Sequence, residues 1–383
     1  MLPGISTEVV AGSKMADLVI AGSGVIGLSV AFELLQSPGL QPARIHIIAQ
    51  HFPGEEPISH EFTSPWAGAH FRPFPHRPES FGADRRESGY TRVTYKRMKT
   101  IAAEHPESTI EFMKGADYLE QPPSEYDGMS PGYNKDSLEN FREIPKGELP
   151  PNVKSGFEYT TYCLNAPEYL GFLQRQVTAL CKAKGVELCF KRMTLRSLAQ
   201  VYEVVPSCDV IFNCTGLGLQ LDGSYDPSCF AIRGQTLLLD VPHKTKFAAA
   251  TVTHQGRDGN WTFVIKRPPV GGKPAQYILG GTKQPGDNCV TPRDMDSHAI
   301  MERARALYPE LLCESEFSVA RVNVGFRPAR NGGSRVELES ASPGPVIHAY
   351  GLGGMGYETS LGVAEHCLRI YRGLKCQRSK AKL

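Results

Sequence analysis

The sequence predicts an α/β protein in which a parallel sheet is interleaved with an α+β domain built on an antiparallel sheet. Three observations carry this expectation. A strand, a glycine-rich turn, a helix and a second strand follow one another within residues 17–49; strand, glycine turn and helix return at residues 346–371; and β-type runs dominate residues 230–325.

Residues 17–21 (DLVIA) read as a short buried strand. The turn Gly22, Ser23, Gly24, Val25, Ile26 and Gly27 follows, then a helix through Leu35 with Ile26, Val30 and Leu34 on one stripe. Residues 44–49 (RIHIIA) form the next strand. Glycines in such a turn let the backbone approach a pyrophosphate, and the helix start offers N–H groups and positive dipole. The unit predicts a Rossmann-like dinucleotide-binding domain. At the end of the second strand, where an acidic residue would bind a ribose hydroxyl, stand Gln50 and His51. Residues 166–184 have helical spacing, a Pro167 start and a Gly185 stop, and lead to a strand at 186–190. Residues 209–214 (DVIFNC) form a further parallel strand running into Thr215 and Gly216, at the sheet edge where ligands of such folds bind. Strands at 236–241, 262–265, 277–279 and 317–322, a hairpin turn at Gly271-Gly272 and a helix at 294–308 predict the inserted antiparallel-sheet domain. Finally, strand 346–350 enters the turn Gly351-Leu352-Gly353-Gly354-Met355-Gly356 and a helix with Leu361, Ala364, Leu368 and Tyr371 on one face.

A dinucleotide has one pyrophosphate, so a second helix start aimed at the same sheet suits a cofactor with another site of negative charge. Reduced flavin, anionic along N1 and C2=O, is such a cofactor. The N-terminal unit alone also permits a nicotinamide-dependent dehydrogenase, which leaves the second turn without a use.

The 383 residues carry a net charge of +2 and no run of five like charges, so neither nucleic acid nor an anionic membrane is an expected partner. Ten cysteines are scattered without C-x-x-C pairs or zinc spacing, which predicts reduced thiols and no metal site; a Cys229–Cys289 disulfide is left open. The apolar stretch 17–33 is too short and too Gly-rich to span a membrane, and the residues before it lack a signal-peptide layout. The chain stops at Ala381-Lys382-Leu383, similar to the S-K-L address read by the peroxisomal import receptor, which predicts a peroxisomal matrix location. Oligomeric state, including a homo-oligomer, is left open.

Over essentially its whole length the chain resembles the D-amino-acid oxidase family of FAD-dependent enzymes, which includes D-aspartate oxidase. VIHAYGLGGMGYETSLGVA (346–364) fits the family signature at every fixed position. TSPWAGAHFRPF (63–74) is close to the fungal form of the flavin-contacting segment, and NVGFRPARNGGSRVE (323–337) resembles the segment with the substrate-binding arginine; NCTGLG (213–218) and IRGQT (232–236) add weaker matches. The resemblance implies FAD held by the N-terminal turn, by Gln50 and His51, by Thr63, Ser64, Ala67, Gly68, Ala69 and His70, by Leu195 and Thr215, and by Gly353, Gly354, Met355, Gly356, Tyr357 and Glu358. It implies an α-amino acid whose carboxylate meets Arg327 bidentately and whose amino group meets the Gly354 carbonyl. A hydride then passes from Cα to flavin N5, oxygen regenerates the flavin with release of hydrogen peroxide, and the imino acid hydrolyses to a 2-oxo acid and ammonia. It further implies an FAD-binding domain at 16–75, 158–225 and 324–373, a substrate domain at 76–157 and 226–323, and a tail at 374–383.

Two positions depart from the family pattern. Phe263 stands where a tyrosine hydroxyl usually helps to bind the carboxylate, and Lys283 stands where similar yeast members have a second tyrosine. With His70 and Arg72, Lys283 forms a candidate basic pocket for D-aspartate or D-glutamate. Three alternatives remain: an oxidase of acidic D-amino acids only, another flavin amine oxidase such as a glycine or sarcosine oxidase, and a flavin-binding scaffold without turnover. Whether residues 247–261 form a lid is left open.

Overall fold

The computed structural model describes residues 16–126, 131–242, 244–312, 317–340 and 342–380. In chain order its elements begin with β1 (Asp17–Ala21), α1 (Val25–Gln36), β2 (Arg44–Ala49), α2 (Phe81–Glu104), β3 (Glu111–Leu119), β4 (Arg142–Glu143), β5 (Ser155–Cys163), α3 (Ala166–Lys184), β6 (Glu187–Arg192), α4 (Gln200–Val204) and β7 (Cys208–Asn213). They continue with β8 (Cys229–Asp240), β9 (Ala250–Gln255), β10 (Trp261–Arg267), β11 (Gln276–Gly280), β12 (Gln284–Pro285), α5 (Asp294–Leu307), β13 (Ser318–Arg330), β14 (Arg335–Ser340), β15 (Pro345–Tyr350) and α6 (Gly356–Lys380).

The first sheet has the order β14-β15-β7-β1-β2-β6, with β14 antiparallel and the rest parallel. Strands β1, β2, β6, β7 and β15 are the anticipated ones, because apolar runs suit a sheet covered on both faces, whereas the antiparallel edge strand β14 is absent from the sequence reading, its Val336 and Leu338 being only half-buried among polar residues. Helices α1 and α6 pack side by side on one face, and the predicted α6 stripe Leu361, Ala364, Leu368 and Tyr371 is buried. The α1 stripe is wider than expected: Leu28, Ala31 and Phe32 are buried with Val30 and Leu34, since α1 is enclosed by the sheet, α3 and α6. On the other face, Leu198 and Val201 cover Val19, Ile48 and Ile211.

The second sheet is nine-stranded, in the order β12-β8-β11-β10-β9-β3-β5-β4, with β13 on the free side of β8. It is mixed and not purely antiparallel, because β3 runs parallel to β9. Strands β3 and β5 and the long α2 are absent from the sequence reading. Their alternation is masked by aromatic residues on both faces of the β3–β5 pair, Phe112 and Tyr162 on one and Phe157 and Tyr159 on the other. The domain boundaries anticipated at 157/158 and 323/324 fall inside β5 and β13, both strands of this sheet.

Residues 247–261 are the β9–β10 hairpin. Gly256 donates to the Asn260 carbonyl at 2.9 Å, and Arg257 is tied to Glu120 at 3.2 Å, so the segment is anchored to the end of β3. Gly271 and Gly272 lie in the β10–β11 connection with φ of 62° and 75°, as a hairpin there requires. Cys229 and Cys289 are free thiols: Cys229 opens β8 opposite Arg330, whereas the Cys289 thiol turns toward Thr291, so the two form no disulfide. No described helix is long and apolar enough to cross a membrane. The terminal tripeptide Ala381-Lys382-Leu383 lies outside the described residues.

The α2–α6 crossing depends on Gly362. A Cβ there would lie 2.5 Å from Tyr90 Cα, and backbone cannot yield as a side chain does. Gly362→Ala is expected to destabilise the chain by about 1–3 kcal/mol, read as a lower urea midpoint with the flavin spectrum unchanged. An unaltered midpoint would mean that the helices can separate freely.

Candidate active site

Both glycine turns sit at the C-terminal edge of the first sheet, and their helices start side by side: a Cβ on Gly356 would be 3.5 Å from Val25 Cγ1. Each N-terminal glycine has a distinct reason. Gly22 has φ 110° and lies against the Cys214 carbonyl, so a side chain there would meet both backbone strain and a clash. Gly24 faces the Ser64 hydroxyl, 2.9 Å from where its Cβ would be, and a Cβ on Gly27 would strike the Gly22 carbonyl. Helix α1 has no side-chain cap and no acidic residue in its first turn. Its first internal bond runs from Leu28 N to Gly24 O, leaving the N–H groups ahead of Leu28 without helical partners. Val25 N donates to Ser64 Oγ at 3.1 Å, which draws residues 63–70 against this cradle.

The segment 63–70 is wedged between the two sheets. Thr63 Oγ1 donates to the Phe326 carbonyl at 2.8 Å, a Cβ on Gly68 would be 2.7 Å from Ile265 Cδ1, and Ala69 holds φ 51°. Ala67 ends the short turn Ser64–Trp66, and His70 bridges to Cys163. Burial pushes the His70 imidazole down to about 3, and its Nδ1 is buried without a hydrogen-bond partner.

At the end of β2 the Ser23 hydroxyl donates to the His51 carbonyl. The amide of Gln50 donates to Glu61 Oε2 at 2.5 Å, and His51 Nε2 lies 3.5 Å from the same carboxylate. The Glu61 carboxylate, brought in by the following loop, thus stands at the corner where position 50 has no acidic group. The sequence reading misses it, because a residue eleven positions on is placed there only by the fold. Leu195 packs behind this corner with Val19, Ala21 and Ile48. Thr215 spends its hydroxyl inside its own turn, donating to Asn213 Oδ1 at 2.7 Å and accepting from Leu219 N at 2.9 Å.

The second turn is stitched to β13. Leu352 bridges Ala329, Gly353 N donates to the Pro328 carbonyl at 2.7 Å, and Gly351 N donates to the Gly216 carbonyl at 3.0 Å. This brings Arg327 beside Gly354, whose Cβ position lies 3.6 Å from Arg327 Cδ. On the other side the guanidinium fills the space left by Gly234, 2.6 Å from where its Cβ would be. Arg327 Nη1 donates to the Thr282 carbonyl at 3.3 Å, and among the described residues Arg327 has no ion pair. Burial alone lowers its pKa, so the cation is held partly dehydrated without a counter-charge. Phe263 lies across Gly280 and Gly281 and forms an apolar wall there.

The proposed basic pocket does not assemble as expected. His70 is neutral. Arg72 gives its Nε to buried Asp117 at 3.2 Å, so its charge is already matched. Lys283 is exposed, with Nζ 6.0 Å from the Trp261 ring centroid, and Arg72 Cζ lies 4.3 Å from that centroid.

Met355 accepts from Thr359 N at 3.0 Å at the start of α6, and the Tyr357 hydroxyl donates to the Ser64 carbonyl at 3.0 Å, tying the two cradles together. Glu358 is buried in the first turn of α6 and accepts from Arg72 N at 3.0 Å. Burial pushes its carboxyl up to about 8 against the lowering influence of Arg72 and Arg92. A carboxyl with a higher pKa folded than unfolded stabilises the chain at acidic pH and loses that contribution as pH rises toward 8. The melting temperature of the wild type is therefore expected to fall relative to Glu358→Gln between pH 5 and pH 8.5. Parallel curves across that range would place Glu358 in a polar setting instead.

Glycines that a Cβ would fill, a helix start without an acidic residue, an orphaned buried His70 Nδ1 and an arginine without a counter-ion fit a bound flavin dinucleotide with an anion beside it. Similarity to known proteins agrees. The FAD dependent oxidoreductase family matches residues 17–369. D-aspartate oxidase of Talaromyces thermophilus is 36% identical over 379 residues, covering 95% of this chain and 96% of that protein. D-amino-acid oxidase of Schizosaccharomyces pombe is 36% identical over 361 residues, covering 92% and 95%. The solved glycine oxidase of Geobacillus kaustophilus shares the fold with a TM-score of 0.66 at 14% identity, covering 94% and 95%. The cofactor is FAD, and the chain belongs to the FAD-dependent oxidoreductase family that contains the D-amino-acid oxidases.

Proposed function

We infer that this chain is an FAD-dependent D-amino-acid oxidase that converts D-amino acids to 2-oxo acids, ammonia and hydrogen peroxide. The observation that carries the reading is Arg327, a guanidinium without an ionic partner held beside the second glycine turn. A planar fork of N–H donors matches a carboxylate bidentately, and partial desolvation strengthens the contact. In this reading Arg327 binds the substrate α-carboxylate and the Gly354 carbonyl accepts from the amino group, which together fix Cα. The α1 cradle with Ser64 holds the pyrophosphate, Gln50, His51 and Glu61 face the adenosine end, and Gly353–Glu358 with residues 67–70 hold the flavin. When bound, FAD accepts the hydrogen and electron pair from Cα and passes them to oxygen. The chain's own contribution is orientation and exclusion of water by the Phe263 wall.

Arg327→Ala is expected to raise KM for D-alanine roughly 10²- to 10³-fold, since truncating one partner of a buried charge pair costs about 2–5 kcal/mol, while the flavin spectrum persists. A near-normal KM would remove Arg327 from the site.

A second reading, preference for acidic D-amino acids, is favoured by Arg72 and Lys283 approaching the same Trp261 ring and by the similarity to a D-aspartate oxidase. With Arg72 matched by Asp117 and His70 neutral, it rests on Lys283 alone. Exposed charges contribute about 0–1 kcal/mol. Lys283→Met is therefore expected to change the ratio of kcat/KM for D-aspartate over D-alanine by less than about fivefold; a drop of a hundredfold would make Lys283 the specificity determinant. We also propose import into the peroxisomal matrix through recognition of Ala381-Lys382-Leu383 by the import receptor, supported by that tripeptide and by the oxidase chemistry. A fluorescent fusion lacking the three residues that still enters peroxisomes would overturn this.

A further inference from the structure

Strand β8 presents its two faces to different tasks. Gly234 faces Arg327, whereas Arg233 and Gln235 point to the opposite face of the sheet, where the loop after β11 and the start of α5 pack. Arg233 is fully buried, and all its donor nitrogens are used. Nε donates to the Cys289 carbonyl at 2.7 Å; Nη1 donates to Gln284 Oε1 at 2.6 Å and Asp296 Oδ2 at 2.9 Å; Nη2 donates to Gln235 Oε1 at 2.9 Å and the Thr291 carbonyl at 2.8 Å. Gln235 extends the grip, donating to the Arg293 carbonyl and Ser297 Oγ at 2.8 Å each and accepting from Arg293 N at 2.9 Å.

Between this far-face network and Arg327 runs the short strap Gly281–Gln284. Gln235 N donates to Thr282 Oγ1 at 2.8 Å, Thr282 N donates to the Gln235 carbonyl at 3.1 Å, and Thr282 offers its own carbonyl to Arg327 Nη1. Both ends of the strap are pinned, one by Gln235 and the other by Arg233 through Gln284. The Thr282 carbonyl is the one hydrogen-bond partner of the Arg327 guanidinium among the described residues. Rotation of the fork is thus opposed by a group whose position is set from the other side of the sheet.

We propose that Arg233 is a positioning residue for substrate recognition: by clamping the Thr282–Gln284 strap from the far face of β8, it sets the orientation of the Arg327 fork toward the substrate carboxylate. This rests on the reading of Arg327 as the carboxylate-binding group. The guanidinium of Arg233 is needed for its shape as well as its charge, since a lysine presents a point charge and cannot reach five acceptors in one plane.

The test uses the FAD-loaded enzyme and benzoate as a simple carboxylate probe, with its Kd read from the perturbation of the flavin spectrum. Arg233→Lys is expected to weaken benzoate about tenfold or more and to raise KM for D-alanine by a similar factor, with kcat changed less than threefold. Thr282→Val, which keeps the carbonyl and the Thr282 N–H bond to Gln235 but removes the Oγ1 acceptor of Gln235 N, is expected to shift the same quantities in the same direction and guards against a folding failure of Arg233→Lys. In the Arg327→Lys background, where the fork is already gone, Arg233→Lys is expected to have less than a twofold further effect on benzoate. A wild-type benzoate Kd in folded Arg233→Lys and in Thr282→Val, or full additivity with Arg327→Lys, overturns the proposal. If Arg327→Ala itself binds benzoate normally, it is the carboxylate-binding reading that fails.

Discussion

The antiparallel pairing of β13 with β8 is the contact on which the site depends. It starts inside the second sheet at Ser318 opposite Asp240 and runs to Arg330 opposite Cys229, where β13 meets the edge of the first sheet. There the Ala329–Leu352 bridge and the bond from Gly353 N to the Pro328 carbonyl attach the second glycine turn to the strand. One strand therefore delivers the arginine and also fixes the turn that faces it. Because register in a strand pair has a period of two, a slip by one residue would turn Arg327 to the opposite face and bring Phe326 to the site.

The arginines near this junction differ in what they hold. Arg330 binds Asp226 at 2.8 Å, Arg72 binds Asp117, and Arg233 binds Asp296, so each is electrically balanced within the chain. Arg327 is not. A cation held away from water and from any carboxylate costs stability unless an anion arrives; Arg267, buried on β10 without an ion pair among the described residues, bears that cost too, and what sets Arg327 apart is its place beside Gly354 in the second glycine turn. The near-neutral net charge conceals this asymmetry, since the difference lies in pairing and not in composition.

The first sheet, apart from its polar edge strand β14, was legible in the sequence because its inner strands are apolar runs with a glycine turn after two of them, and Pro167 and Gly185 mark the ends of α3 as helix chemistry dictates. The inserted domain was legible only in part. Strands β8, β10 and β11 carry recognisable β-type runs, whereas β3 and β5 bury aromatic side chains on both faces and α2 has a low apolar content, so neither period stands out. Arg327 and Gly354 could be read from local motifs, and the structure brings them together. Glu61, Thr282 and Arg233 could not: their roles arise from contacts between segments distant in sequence. The pairing of Arg72 was illegible for a related reason, since residue type alone does not reveal that Asp117, forty-five positions on, matches it.

The phenyl ring at position 263 gives the site its particular economy. A tyrosine there would add a hydroxyl toward the carboxylate, whereas Phe263 adds only a rigid surface against Gly280 and Gly281. With that donor absent and Lys283 turned toward Trp261 and solvent, the proposed carboxylate recognition falls to one guanidinium. Two parallel hydrogen bonds to a carboxylate require both oxygens in the plane of the fork, so the orientation of Arg327 governs affinity more steeply than it would in a site with three donors. A buried, fully bonded Arg233 on the far side of β8 is costly to desolvate, and as a stability device an apolar cluster would serve as well. Its use becomes intelligible where a single fork must be aimed and the strap that aims it lies at the edge of a sheet.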